Sequence, residues 1–278
     1  MTKRVSYFDG ATTTTKFLIP LEDCQVETSL IERPDKNIIC FSTCVGCPVG
    51  CKFCISGVEN NYVRKLFYNE MVTQILTAYK QIKDYNKVTV ISAMGEGEPS
   101  INIQSVIEAM EQIKTRFPYK SFKFAISTAG LNLKRLQKVV DEIIVSSLSI
   151  KLQFSVHSVS HRDSIIPNSK IDLKEALSIL LTANLNYNLQ VELNFTLIKG
   201  VNDSDFELVA NVLESYKKLD IKLNQFNPFS LSDLEHADED KYEEFVEVLS
   251  SRGFNVEYYK TDGSNIIAAC GLLRYSNL

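Results

Sequence analysis

The sequence predicts an α/β fold built as a barrel or partial barrel of six or seven strand–helix units, on three observations. Short β-rich runs alternate with segments of helical period from Phe17 to residue 260. That order implies a parallel sheet with right-handed crossovers. The chain of 278 residues has a length that α/β barrels often use as one domain. A cysteine-rich loop follows directly on one of these strands, at the carboxyl end where such barrels place their chemistry.

The first 15 residues, entering the Thr-rich run 11–16, read as an irregular segment, and 16–278 as a single domain. No stretch rich in Pro, Gly or Ser divides the chain, and no internal repeat is visible. NIICFST (37–43) is a short β-rich run. EMVTQILTAYKQIKD (70–84) follows, with Met71, Ile75, Ala78 and Ile82 on one helical face. VTVISAMG (88–95) is a buried-strand run ended by a glycine turn. In helix 101–117, Ile103, Val106, Ile107 and Met110 share a side. Strand 122–128, helix 133–143, strand 151–158 and helix 173–184 continue the alternation. LQVELNFTLI (189–198) is the longest strand candidate. Gly200 to Asp203 then give a turn and cap before helix 206–219. Strand 221–229 runs into Pro228, and helix 240–253 with strand 254–260 completes the series.

Composition excludes several classes. Hydrophobic residues make up 45% and charged residues 23%, as in a folded globular protein. Thirty basic against 34 acidic residues give a net charge of −4, so there is no global attraction to a phosphate backbone. No apolar run approaches a membrane span, and the start MTKRVSYFDG lacks the apolar core of a signal peptide. A cytoplasmic protein is expected.

Seven cysteines are present, and five of them fall between Cys40 and Cys54. An odd, clustered set is not a disulfide framework; it reads as metal binding or thiol chemistry. Cys47, Cys51 and Cys54 have the spacing C-x3-C-x2-C. Three thiolates on one short loop can hold three irons of a cubane cluster and leave the fourth open to a chelating molecule. The alternative is structural zinc on Cys44, Cys47, Cys51 and Cys54, although the two pairs would be joined by only three residues.

With the aromatic Phe53 before its last cysteine, this loop resembles the signature of radical S-adenosylmethionine (SAM) enzymes. The match narrows in FLIPLEDCQVETSLI, MGEGEPSIN, ISTAG, FSVHS with HRDSIIPNSK, LIKGVNDSD, NQFNPF and DGSNIIAACGLL. These segments occur in the order seen in the RlmN/Cfr family of RNA adenine methyltransferases, and the resemblance runs from about Lys16 to Leu273. It implies a partial (β/α)6 TIM-like barrel of the radical SAM type with short N- and C-terminal extensions. It also implies a [4Fe-4S] cluster on Cys47, Cys51 and Cys54, SAM as cofactor, and an electron donor such as flavodoxin or ferredoxin.

Site residues follow from the same resemblance, position by position. SAM contacts fall on Gly97, Glu98, Ser127, Ser155, His157 and Asn227, with Glu98 receiving the SAM ammonium. Cys270 and Cys40 take the two catalytic cysteine positions, and Glu27 that of the base. Adenine ring carbons are poor nucleophiles, so the implied route runs through the protein. One SAM methylates Cys270. A second, cleaved at the cluster, yields the radical that activates the S-methyl group for addition to the ring carbon. Glu27 removes the ring proton, and Cys40 attacks the Cys270 sulfur to release product as a disulfide forms. Read alone, Cys40 and Cys270 suit small buried hydrophobes, and Glu27 a solvated glutamate at a strand end.

Four departures from the family pattern bear on the substrate. Only fifteen residues precede the barrel, where family members carry a small helical RNA-binding domain. Acidic residues crowd the segment after NPF: Asp233, Glu235, Asp238, Glu239, Asp240, Glu243 and Glu244. YYKTDG replaces an arginine-rich stretch before Cys270. Cys44 and Glu96 stand where the family usually has Gln and Met. The expected function is methylation of an adenine ring carbon, carbon 2 first, in rRNA or tRNA. The same chemistry on an adenine nucleotide, nucleoside or peptide stays open, as does a non-catalytic metal-binding protein.

Overall fold

A computed structural model describes residues 2–8, 10–59 and 61–259. Four strands open the chain: β1 (Lys3–Phe8), β2 (Thr13–Pro20), β3 (Gln25–Glu32) and β4 (Lys36–Phe41). A two-stranded ribbon, β5 (Cys44–Val45) with β6 (Arg64–Lys65), brackets the cysteine loop and the short helix α1 (Ile55–Glu59). The remaining strands are β7 (Val88–Ala93), β8 (Phe122–Thr128), β9 (Ile150–Ser155), β10 (Val191–Leu197), β11 (Asp220–Gln225) and β12 (Val256–Tyr259). Between them lie α2 (Tyr68–Tyr79), α3 (Ile103–Arg116), α4 (Leu133–Val145), α5 (Arg162–Ile165), α6 (Leu173–Tyr187), α7 (Phe206–Leu213) and α8 (Glu239–Ser251).

The main sheet has ten strands in the order β1-β2-β3-β4-β7-β8-β9-β10-β11-β12. From β4 to β12 every neighbouring pair is parallel, which gives the six strand–helix units and a closing strand. The segment expected to be irregular departs from that expectation. Lys3–Phe8 pairs antiparallel with Thr13–Leu18, and β2 pairs in turn with β3, so the 15/16 boundary falls inside strand β2. The run of threonines is strand material, being β-branched. The side chains of β1 are mostly exposed at the sheet edge, so no apolar alternation announced it.

The sheet curls. Arg33, in the turn between β3 and β4, stacks over the Tyr259 ring of β12 at 4.5 Å and donates to its hydroxyl. In a flat sheet, six strand spacings would set β4 and β12 about 29 Å apart. Among the described residues no ladder joins β12 to β3 or β4.

Register and burial divide the sheet into two faces. Ile39, Phe41, Ile91, Phe124, Ile126, Leu152, Phe154, Leu193, Phe195 and Leu223 join the helices in one apolar core. The alternate positions point the other way and are polar: Ser29, Cys40 and Ser92 lie side by side, followed by Gln153, Glu192 and Asn194. Lys151 pairs with Glu192 at 3.1 Å, and Gln153 donates to the same carboxylate. A parallel barrel normally fills its interior with branched aliphatic residues. A polar lining marks this interior as a site.

Candidate functional site at the carboxyl ends of the strands

The chain leaves β4 under tight control. Gln74 of α2 is fully buried and accepts from Ser42 N at 2.8 Å and Thr28 Oγ1 at 2.9 Å, while its amide donates to Ser42 O. The Ser42 hydroxyl donates to Glu27 O and accepts from Glu96 N, joining β3, β4 and the loop after β7. Thr43 N and Cys44 N both donate to Glu96 O. Gly97 closes this junction at φ +114°, and a Cβ there would stand 2.6 Å from Thr43 Oγ1 and 2.7 Å from Cys44 N. Only glycine fits that approach.

The cysteine loop follows. Cys47 is buried, while Cys51 and Cys54 are partly so. Burial and the neighbouring thiols push the Cys47 and Cys51 thiols well above the usual range, so three bare thiolates are unfavourable without a cation. Among the described residues no three His, Cys, Asp or Glu side chains converge as one metal ion requires. A cubane takes one thiolate on each of three irons, which three cysteines on one short loop can supply. The residues present fit the cluster. Cys44 is buried on β5, and desolvation raises its thiol to about 11. Cys24, Cys44, Cys47 and Cys51 carry free thiols.

The expected SAM contacts fall at or just past the carboxyl ends of β7, β8, β9 and β11. Glu98 is buried, and its carboxylate accepts from Ser100 N and Ala129 N at 2.9 Å each and from the Thr128 hydroxyl. It therefore ties the loop after β7 to the end of β8, and of about four acceptor directions one remains for a ligand ammonium. Ser127 of β8 faces inward, within 3.5 Å of the Asn194 amide of β10. Ser155 ends β9. Two residues on, His157 holds φ +57°, its ring against Phe53 of the cysteine loop with centroids 4.4 Å apart. Its N–H donates to Asn194 O at 3.0 Å. Burial pushes the His157 imidazole down to about 3, so it is neutral. Asn227 is buried just past β11. Asn194 Oδ1, His157 Nδ1 and Ser92 Oγ are buried without a hydrogen-bond partner, the condition that marks ligand sites.

Cys40 and Glu27 share the inward face. Cys40 is in register with Ser29 on one side and Ser92 on the other, and Glu27 lies two residues from Ser29 toward the rim. Such diagonal neighbours stand about 7–8 Å apart. Glu27 is not solvated: it is buried and meets the equally buried Lys16 Nζ at 3.0 Å. Cys270 lies outside the described residues.

Reading along the chain missed Lys16, Gln74, Asn194 and Arg162. Arg162 is buried and donates to Ser155 O, Ala129 O and Ser169 Oγ. The only available signal was polar residues at alternate positions of an otherwise apolar strand, as Glu192, Asn194 and Thr196 show in β10.

Comparisons with known proteins agree with this fold. The Radical SAM superfamily model matches residues 41–213. The "Probable dual-specificity RNA methyltransferase RlmN" of Thermotoga neapolitana is 35% identical over 280 residues, covering 98% of this chain and 78% of that protein. Its counterpart in Chlorobium phaeobacteroides is 32% identical, covering 95% and 74%. A radical SAM methyltransferase crystal structure from Sphaerobacter thermophilus superimposes with a TM-score of 0.85 at 28% identity, over 98% of this chain and 80% of that one. The chain belongs to the radical SAM superfamily and, within it, to the RlmN family of methyltransferases.

Proposed function

We propose that this enzyme methylates an adenine ring carbon in RNA, carbon 2 in rRNA or tRNA, through methylated Cys270. The observation that carries the reading is the shared inward face of Cys40 and Glu27, set at the carboxyl ends of the strands beside the cysteine loop. The RNA substrate is supported by the names of the relatives, which are RNA methyltransferases.

Radical SAM enzymes use a [4Fe-4S] cluster and SAM, which supply one-electron chemistry and the methyl group. Cys47, Cys51 and Cys54 hold the cluster. Gly97, Glu98, Ser127, Ser155, His157 and Asn227 hold SAM. Cys270 takes up the methyl group as a thiolate, and Glu27 removes the proton from the ring carbon, the unpaired electron of the adduct returning to the one-electron cofactor that supplied it. Lys16 Nζ, 3.0 Å from the Glu27 carboxylate, holds that side chain in place. Cys40 then attacks the Cys270 sulfur. An S–S bond forms as the S–C bond breaks, and the carbon takes the electron pair and a proton. Flavodoxin or ferredoxin is the class of electron donor.

A second reading, the same chemistry on a smaller adenine compound, draws on the acidic rim. The segment after β11 reaches the site end of the sheet, where His236 bridges to Ile198 just past β10. Its acidic residues continue into the first turn of α8, where they suit the helix N-terminus, and Asp238 pairs with Lys199. The reconstituted enzyme, incubated with methyl-labelled SAM, a reductant and either total RNA or adenosine and AMP, separates the two. Label in 2-methyladenosine from digested RNA is the expected result. Label confined to the free nucleoside or nucleotide overturns the RNA reading.

A further inference from the structure

The stretch 162–169, beyond His157, has no part in the chemistry above, yet it is fastened to the cysteine loop. Asn168 N donates to Val49 O at 3.2 Å and Asn168 Nδ2 to Pro48 O at 2.8 Å. In return, Lys52 N donates to Ile165 O at 3.0 Å. Ile165 and Ile166 pack with Cys47 and Val49 in a small apolar cluster separate from the main core. Helix α5 and its sequel thus clamp the loop that presents the three thiols.

At the base of the clamp sits Arg162, 5% exposed. Its guanidinium donates to Ser155 O at 3.1 and 3.3 Å, to Ala129 O at 2.8 Å and to Ser169 Oγ at 3.0 Å. Every acceptor is neutral. Among the described residues Arg162 forms no ion pair, which is an unusual condition for a buried cation. The anionic groups whose field reaches it are Cys51, then Asp163 and Glu98. Asp163 is exposed, so solvent screens it. The Glu98 charge is already met by its three donors. Burial lowers the guanidinium only to about 10, so it stays charged at neutral pH.

We propose that Arg162 is the buried counter-charge of the metal cluster and sets its reduction potential. This rests on the assignment of Cys47, Cys51 and Cys54 as cluster ligands. A core held by three thiolates is anionic and becomes more so on gaining an electron. A fixed cation in a low-dielectric wall beside Cys51 therefore favours the reduced form and raises the potential. Arg162 acts through the cluster and is a positioning residue.

The test is a redox titration of the anaerobically reconstituted enzyme, followed by electron paramagnetic resonance. Arg162→Gln, which removes the charge and keeps an amide donor, shifts the reduction equilibrium against the reduced form by about tenfold, or 59 mV for a one-electron couple. Arg162→Lys, which keeps the charge but loses the fork of hydrogen bonds, titrates near the wild type. Ser169→Asp leaves the arginine in place, sets a carboxylate against it, and shifts the potential in the same direction as Arg162→Gln. It keeps the test open should Arg162→Gln fail to fold. The proposal is overturned if clusters in Arg162→Gln and Ser169→Asp titrate at the wild-type potential, even if cluster content falls, because a merely structural clamp has that signature. A wild-type protein that takes up no [4Fe-4S] cluster refutes the ligand assignment itself, a separate result read from iron and sulfide content.

Discussion

Lys16 and Glu27 show how a single pair can join stability to chemistry. They lie on adjacent strands, diagonal to each other, with side chains 1% and 7% exposed. Removing one partner of a buried pair strands the other charge, at a cost of about 3–5 kcal/mol. Lys16→Met should lower the denaturant midpoint accordingly, and the loss should shrink when Glu27→Gln is added. His157 carries a pH dependence. Its buried imidazole resists protonation down to about 3, whereas the unfolded group takes up a proton near 6.5. The unfolded state thus binds more protons between those values, and stability falls as pH drops through that window. In the apo protein, thermal unfolding followed from pH 7.5 to pH 5 should show a decline that His157→Asn flattens, since asparagine tolerates the same left-handed backbone.

Elements with a strong period were legible in the chain. The helical face of Met71, Ile75 and Ala78 is buried as α2, and Ile103, Val106, Ile107 and Met110 are buried in α3. The strand–helix alternation fixed the order β4 to β12, because parallel strands buried under helices leave apolar runs. β1 was not legible, since an exposed edge strand leaves none. The clamp was invisible for a different reason: Asn168 and Ile165 act through backbone groups of a loop more than a hundred residues away. The same holds for Gln74, whose amide locks the exit from β4. Helix α1 gives a test at this scale. A Cβ on Gly57 would stand 2.4 Å from Cys51 O and 2.5 Å from Cys51 N, so the helix can touch the cysteine loop only without a side chain. Gly57→Ala should cost about 1–3 kcal/mol by overpacking. It should also reduce iron content after reconstitution, measured against the thermal melt of the apo form.

Across the whole molecule, the residues that the cysteine signature and the sequence segments single out lie, Cys270 aside, toward one end of a curled sheet. What they could not convey was the polar interior beneath it, because inward and outward faces become distinct only when the strands are in register. The net charge of −4 is likewise uneven in its effect: acidic residues gather on the rim past β11, while Lys16, Lys151 and Lys222 point inward. The most direct measurement is mass spectrometry of the Cys40→Ala enzyme purified after turnover with SAM and RNA. Without the Cys40 thiolate the covalent intermediate has no exit. The account predicts a Cys270 peptide carrying a methylene-linked adenosine from an RNA chain. A Cys270 peptide that bears only a methyl group, or full turnover by Cys40→Ala, would contradict it.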